Sequence, residues 1–151
     1  MKEHSIRLLA LGRIDGLPCE CVQRLRKAER ETAENYRYTV ILALNYGGRC
    51  EIADAAKKIA MEVQKGILDP ETISEQTVAD HLYLPEIPDP DLMIRTSGEE
   101  RISNFLLWQL SYAEFYFTDV YWPDFDEHEF QKALNSFNTR KRRFGGRRTS
   151  C

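Results

Sequence analysis

Four short apolar runs alternate with segments of helical periodicity, and this alternation restricts the possible folds more than any other feature. The runs lie near residues 6–11, 39–44, 91–95 and 115–120. The second run, TVILAL, has the continuous aliphatic pattern that is typical of a parallel strand covered on both faces. Strands that alternate with helices indicate a mainly parallel sheet. The sequence therefore predicts an α/β fold, a mostly parallel β-sheet with helices on both faces.

The segments between these runs carry recognisable helix ends. An apolar stripe that starts at Arg49 predicts a long helix, and Gly66 is its expected C-terminal cap. Asp69, followed by Pro70, and Ser74 are expected to cap two short helices. Asp126 is the expected cap of the last long helix, with a glutamate three residues later.

Most of the plausible chemistry lies in one polar loop, residues 95–103 (RTSGEERIS), which follows the third strand. In open α/β sheets, ligands bind outside the carboxyl ends of the strands. Two arginines, three hydroxyl groups and a glycine are the parts of a phosphate or diphosphate cradle. The apolar residues 104–112 are predicted to form a buried helix, whose N-terminus would add N–H donors. The alternative is a surface loop in which the two arginines pair with the two glutamates of the loop.

Glu114 lies between this apolar segment and the fourth strand. A carboxylate between two buried elements is costly unless it is paired or bound to a metal. An ion pair is the commoner explanation for a single glutamate. Diphosphate groups usually bind magnesium, however, so the sequence leaves both an ion pair and a magnesium ligand open.

Composition narrows the class of protein further. The 151 residues predict one domain, and apolar and charged fractions of 42% and 30% are those of an ordinary soluble globular protein. A net charge of −3 gives no general case for nucleic-acid binding. No apolar run approaches the roughly 20 residues that span a bilayer, and no signal peptide is recognisable. The cysteines are too few and too irregular for a disulfide framework, so we expect free thiols and a cytoplasmic protein.

Three blocks carry a resemblance to a known family. Residues 88–125 (PDPDLMIRTSGEERISNFLLWQLSYAEFYFTDVYWPDF) resemble the C-terminal signature of the cis-prenyltransferases, the undecaprenyl diphosphate synthase family. Residues 45–49 (NYGGR) and 140–146 (RKRRFGG) resemble two further blocks of that family, in the same order and spacing. The resemblance implies that residues 1–146 are the C-terminal part of one cis-prenyltransferase domain, with residues 147–151 as a tail.

The resemblance also implies a reaction. Isopentenyl diphosphate adds to an allylic prenyl diphosphate, such as farnesyl diphosphate, and a polyprenyl diphosphate forms with Mg²⁺ as the cofactor. The resemblance also implies a homodimer, and the lipid product would bring the protein to a membrane surface. The catalytic Asp of the family belongs to an N-terminal block that has no counterpart before Ile6. We therefore expect a fragment that is inactive alone; the alternative is a non-catalytic accessory subunit that dimerises with a complete family member.

Site residues follow from the resemblance one at a time. The substrate-binding positions that it implies are Arg95, Arg101, Ile102, Ser103, Arg143 and Gly145. Arg143 and Gly145 belong to a C-terminal element that would reach the diphosphate site of the partner subunit. Glu114 corresponds to a residue that helps to hold magnesium. Glu100 stands where some members have a metal-linked histidine.

Overall fold

The computed structural model describes residues 5–140, and the chain divides into two compact units with the boundary between Ile87 and Pro88. The first unit contains, in order, β1 (Ile6–Leu11), α1 (Cys19–Glu31), β2 (Tyr38–Ala43), α2 (Gly48–Gln64) and α3 (Glu75–His81). The second contains β3 (Leu92–Arg95), β4 (Glu114–Phe117) and α4 (Glu127–Thr139). The predicted α/β class is confirmed. Among the helices of this described part, none is long and apolar enough to cross a membrane.

Each unit is built around one pair of parallel strands. In the first unit β1 pairs with β2, with Ile6 opposite Tyr38 and Leu11 opposite Ala43. In the second unit β3 pairs with β4. Because parallel strands need a crossover between them, the parallel pairing agrees with the helix that separates β1 from β2.

The carboxyl ends of β1 and β2 are joined tightly. The Leu44 N–H donates to the Leu11 carbonyl at 2.9 Å. Gly12 follows β1 with φ +126°, and a Cβ at this position would lie 2.2 Å from the Leu44 carbonyl oxygen. Glycine is required here both by the backbone angle and by the close approach of the second chain segment.

The burial of β2 corrects one prediction. Leu8 to Leu11 of β1 are buried, but β2 is mostly exposed, with Tyr38 at 57% and Val40 at 40%. In the part of the chain that the structure describes, β2 pairs with β1 alone and is an edge strand. The expectation that TVILAL is covered on both faces is therefore wrong for these residues, because composition indicates what a strand can bury and not which neighbours are present.

The C-terminus of α2 has the predicted glycine cap. Gly66 has φ +68°, and its N–H donates to the Val63 carbonyl at 3.0 Å. The Ile67 N–H donates to the Glu62 carbonyl at 2.9 Å. These two bonds form a Schellman motif, which satisfies carbonyl groups that the end of the helix would leave without partners.

The predicted N-terminal caps are also confirmed. Asp69 accepts a hydrogen bond from the Glu71 N–H and opens a short 3-10 turn. Ser74 and Thr77 form a capping box at the start of α3. Asp126 caps α4 through the N–H of its third residue, at 2.9 Å. Caps depend on residues close in sequence, so local patterns predict them well.

Residues 104–112 are not the predicted buried helix. Ser103, Asn104 and Leu106 have φ of +46°, +64° and +44°, which lie outside the right-handed helical region. The segment forms a series of turns, in which Leu110 is buried. An apolar helix gains most of its stability from packing against neighbours. Apolar composition on all sides indicates a tendency to be buried, but it does not by itself indicate a helical conformation.

Candidate functional site

Arg95 is the last residue of β3, so it lies at the carboxyl end of a parallel strand, as predicted. Leu92 of β3 is opposite Glu114 of β4, and Arg95 is opposite Phe117. The Thr118 N–H donates to the Arg95 carbonyl at 3.0 Å and continues the pairing beyond the strand. The Arg95 side chain is 25% exposed, which leaves its guanidinium fixed but accessible.

The backbone of the following loop is held against the segment after β4. The N–H groups of Ser97 and Gly98 donate to the carbonyls of Val120 and Thr118, both at 2.9 Å. Both loop residues have φ near +70°, at +71° and +68°. A Cβ at Gly98 would lie 3.0 Å from the Asp119 carboxylate. These contacts fix the start of the loop, and therefore the position from which its polar side chains extend.

The two loop arginines come together around Ser103 and Glu99. Arg95 Nη1 donates to Ser103 Oγ at 3.1 Å and also to the carbonyl of Arg101. Arg95 Nη2 lies 3.7 Å from Glu99 Oε2, and the Arg101 guanidinium forms an ion pair with the same oxygen. The arginines and the serine thus lie together, and both arginines share one glutamate of the loop, Glu99, where the alternative paired them with both loop glutamates. We call these four residues the arginine cluster.

An anion could replace the glutamate in this arrangement. Arg101 is 66% exposed, so its guanidinium is accessible to an anion from solvent. A diphosphate carries more charge than one carboxylate and offers several oxygens to the forked donors of arginine. The arginine cluster therefore has the donors that could bind a diphosphate in place of Glu99.

A small cavity adjoins the arginine cluster. Its volume is about 230 Å³, and its lining consists of Met93, Ile94, Arg95, Ile102 and Phe105. Apart from the arginine, these side chains are apolar. The predicted site residue Ile102 is thus part of the wall of a cavity that offers apolar surface beside a cationic group.

Glu114 is not brought to the arginine cluster. It begins β4 opposite Leu92, three positions before Arg95 on the neighbouring strand, which corresponds to about 10 Å along the sheet. Its Oε2 lies 2.8 Å from Arg140 Nη1. The structure therefore shows the ion pair that the sequence left open. Within residues 5–140, no group of three or more His, Cys, Asp and Glu side chains is placed to hold a metal.

Two predicted site residues, Arg143 and Gly145, lie outside the described residues. Their roles stay predictions. Glu100 lies in the described loop, and its connection to a metal also stays a prediction.

A second polar network, which no local sequence pattern predicts, lies at the carboxyl ends of β1 and β2. Arg13 Nε and Nη2 donate to the two oxygens of Asp54 at 2.9 and 2.8 Å. The Tyr83 hydroxyl donates to the same carboxylate. Asn45 Nδ2 donates to the Arg13 carbonyl at 2.9 Å, which links the network to the NYGGR block. The block was recognisable in the sequence, but its partners are distant along the chain.

A buried glutamate continues this network. Glu51 is 1% exposed, and its carboxylate accepts from the Tyr46 hydroxyl at 2.5 Å and from the Tyr83 N–H at 2.9 Å. Hydrogen bonds to both carboxylate oxygens compensate for the loss of water. These hydrogen bonds hold the segment after α3 against the start of α2.

The network changes the pKa values of its members. Hydrogen bonds from Arg13 and then from Tyr83 lower the pKa of Asp54 to about 2. Burial, followed by the hydrogen bond to Asp54, raises the pKa of Tyr83 to about 12. The hydrogen bond to Asp54 also raises the pKa of Arg13. The network is thus fully formed, with the carboxylate charged and the phenol neutral, across the neutral pH range.

Asp54→Asn is expected to reduce the free energy of unfolding at pH 7 by about 1–3 kcal/mol, because it removes the charged acceptor of both hydrogen-bond donors. The folded-state pKa of Asp54 is lowered, so its contribution is present above the ordinary value of 3.8 and is lost as the pH falls toward about 2. The difference between wild type and variant should therefore shrink between pH 4 and pH 2. Urea denaturation over this range measures it. Glu86→Gln, at an exposed position, is the control, and a wild-type advantage that stays constant down to pH 2 would contradict the assignment.

Comparison with known proteins identifies the family. Residues 1–145 match the model of the family described as "Putative undecaprenyl diphosphate synthase". Ditrans,polycis-undecaprenyl-diphosphate synthase ((2E,6E)-farnesyl-diphosphate specific) of Escherichia coli K12 is 48% identical over 146 residues, which are 97% of this chain and 58% of that protein. Isoprenyl transferase of Streptococcus thermophilus is 49% identical over 150 residues, 97% of this chain and 60% of that protein.

A solved structure of a prenyl diphosphate synthase also matches the fold of this chain. Lavandulyl diphosphate synthase from Lavandula x intermedia, in complex with dimethylallyl diphosphate, matches with a TM-score of 0.90 and 44% identity. The match covers 95% of this chain and 62% of that one. The chain belongs to the undecaprenyl diphosphate synthase family of prenyltransferases. It spans somewhat less than two thirds of the length of these relatives.

Proposed function

We propose that the protein functions in cis-prenyl chain elongation, the condensation of isopentenyl diphosphate with an allylic diphosphate such as farnesyl diphosphate to give a polyprenyl diphosphate. The observation that carries the proposal is the arginine cluster at the carboxyl end of β3, beside an apolar cavity. The names of the relatives support it, since they are synthases of prenyl diphosphates. The described residues would contribute the subsite for isopentenyl diphosphate.

The chemistry of each side chain in this subsite indicates its role in binding. Arg95 and Arg101 would bind the diphosphate oxygens through their forked donors, and Ser103 would donate a further hydrogen bond. Glu99 would be displaced from the arginines as the diphosphate enters. The short hydrocarbon part of the substrate would lie against Ile102 and the other apolar residues of the cavity.

Glu114 is the residue proposed to help hold magnesium. Magnesium usually binds through one or two carboxylates together with substrate phosphates, so a single glutamate fits this role although the described residues form no complete metal cage. When bound, magnesium would offset the charge of the leaving diphosphate. Glu114 would first have to leave its ion pair with Arg140.

The whole reaction requires more than the described residues. We propose that the catalytic Asp is supplied by the part of the family fold that this chain does not span, and that a homodimer brings Arg143 and Gly145 to the diphosphate site of the partner subunit. The direct test joins the chain to the unmatched segment of the Streptococcus thermophilus isoprenyl transferase in one polypeptide. Labelled isopentenyl diphosphate, farnesyl diphosphate and magnesium should then yield a labelled polyprenyl diphosphate. A folded joined protein that forms none would contradict the proposed function.

Glu114→Gln in this joined protein is expected to raise the magnesium concentration for half-maximal activity roughly tenfold, which corresponds to about 1.4 kcal/mol of lost metal binding. The substitution keeps the shape of the side chain and removes its charge. Activity measured across a magnesium titration gives the result.

Arg140→Met is the matched control for this prediction, because it removes the ion-pair partner and leaves Glu114 free to bind metal. Its magnesium requirement should equal that of the wild type or fall below it. Magnesium titrations that coincide for all three proteins would remove Glu114 from the metal site.

A further inference from the structure

The ring of His81, the last residue of α3, lies between two hydrogen-bond acceptors. Its Nδ1 is 2.7 Å from the Thr77 carbonyl oxygen, one turn earlier in the same helix. Its Nε2 is 3.1 Å from Oε2 of Glu62, which belongs to α2. A carbonyl oxygen and a carboxylate can only accept hydrogen bonds. Both nitrogens of the ring therefore face groups that require a donor.

The protonated ring satisfies both acceptors, and the neutral ring does not. A neutral imidazole has one N–H and one lone pair, whereas the imidazolium has two N–H groups. In the neutral ring, either the Thr77 carbonyl or the Glu62 carboxylate faces a nitrogen lone pair. The His81 side chain is 16% exposed, so water replaces the lost partner only in part. The geometry therefore favours the charged form of His81.

Two charged side chains of α2 face His81. Glu62 favours the imidazolium through its negative charge, and Lys58 opposes it. The Lys58 ammonium also donates to the His81 carbonyl at 3.0 Å. The hydrogen bond to the Thr77 carbonyl has the largest effect and raises the pKa of His81 above the ordinary value of 6.5, although burial lowers it; the hydrogen bond to Glu62 raises it further.

A neighbouring contact between the same two parts of the chain does not change near neutral pH. The Tyr83 hydroxyl, two residues beyond His81, donates to Asp54 of α2. The pKa of Asp54 is about 2 and that of Tyr83 is about 12, so this contact keeps its charge state across the neutral range. The contact between His81 and Glu62 changes its charge state within that range.

We propose that His81 and Glu62 form a proton-dependent clamp, which holds the end of α3 against α2 while the imidazole is charged and loosens as the ring loses its proton. We call this pair the histidine clamp. Because the pKa of the ring is raised in the folded protein, the stability that the clamp contributes is complete below 6.5 and is lost as the pH rises through the higher folded-state value. The clamp requires neither substrate nor metal.

Hydrogen exchange of the purified chain, measured by NMR at pH 6 and pH 8.5, tests the histidine clamp. The amides of Val78 and Leu82 report on α3, because they donate to the carbonyls of Ser74 and Ala79. Their protection factors, corrected for the intrinsic effect of pH on exchange, should fall roughly three- to tenfold at the higher pH, the loss expected for one hydrogen bond. The ring nitrogens of His81 should show two N–H groups at pH 6 and one at pH 8.5.

Glu62→Gln separates the histidine clamp from other effects of pH. The glutamine amide can accept from the charged ring or donate to Nε2 of the neutral ring, so both forms keep two partners. The protection of α3 should then be nearly independent of pH. Glu75→Gln, the same substitution at the exposed first residue of α3, is the matched control and should keep the pH dependence of the wild type. His128→Gln should keep it as well, since this exposed histidine lies on α4.

Protection of α3 that is equal at both pH values in the wild type would overturn the proposal. A pH dependence that persists in folded Glu62→Gln, or that disappears in His128→Gln, would do the same. If Glu62→Gln does not fold, His81→Gln removes the titrating ring instead, and a pH dependence that remains in this variant would contradict the histidine clamp. These measurements use no substrate, so their failure is distinguishable from a failure of the proposed function.

Discussion

Incubated alone with isopentenyl diphosphate, farnesyl diphosphate and magnesium, the purified chain is expected to form no polyprenyl diphosphate. The proposed subsite would bind one diphosphate, and within residues 5–140 no group of three or more His, Cys, Asp and Glu side chains is placed to hold a metal. We propose that the catalytic Asp belongs to the part of the family fold that this chain does not span. Isopentenyl diphosphate could bind to this site, but no turnover is expected without a catalytic group that promotes departure of the diphosphate from the allylic substrate.

Extraction of radiolabelled product measures this directly, with the Streptococcus thermophilus isoprenyl transferase assayed in parallel as the positive control. Turnover by the chain alone on the order of 1 per second, a rate ordinary for enzymes, would contradict the expectation.

The same assay separates the two interpretations of an inactive chain. An accessory subunit should associate with a complete family member and change its rate or its product. A part of a catalytic unit should leave the complete enzyme unaffected and gain activity only with the unmatched segment.

Arg95→Ala in the joined protein is expected to lower kcat/KM for isopentenyl diphosphate by roughly 10- to 150-fold. A hydrogen bond to a charged group contributes about 1.5–3 kcal/mol, and this range converts to the expected loss. The KM for farnesyl diphosphate should change little, because the proposed subsite binds the other substrate. Arg95→Lys keeps the charge but loses the forked donors, so it should recover part of the activity and not all of it.

Arg24→Ala is the matched control, since this arginine is 79% exposed on α1 and pairs with Glu20. It should leave both substrates unaffected. Equal losses for both substrates in Arg95→Ala, together with a lowered melting temperature, would instead indicate a folding defect.

Local sequence signals predicted much of the fold correctly. Short apolar runs marked all four strands, and residues adjacent to the helix ends marked their caps, because both depend on neighbours within a few positions. Two errors have one cause. The exposure of β2 and the turns at residues 104–112 depend on which elements lie beside them, and apolar composition contains no information about that.

The candidate site was predictable only where its parts are close along the chain. Arg95 and Ser103 are eight positions apart and share a recognisable motif, and the structure brings them together. The pair of Glu114 and Arg140 joins residues 26 positions apart, and no local pattern marks it. The network of Arg13 and Asp54 spans 41 positions and was missed for the same reason.

The central claim is that the arginine cluster binds the diphosphate of isopentenyl diphosphate. A calorimetric titration of isopentenyl diphosphate into the purified chain tests it most directly, because it requires neither turnover nor a second polypeptide. The account predicts saturable binding to the wild-type chain and to Arg24→Ala, and binding at least tenfold weaker to Arg95→Ala and Arg101→Ala. Binding that is absent in the folded wild-type chain, or unchanged in the two cluster variants, would contradict it.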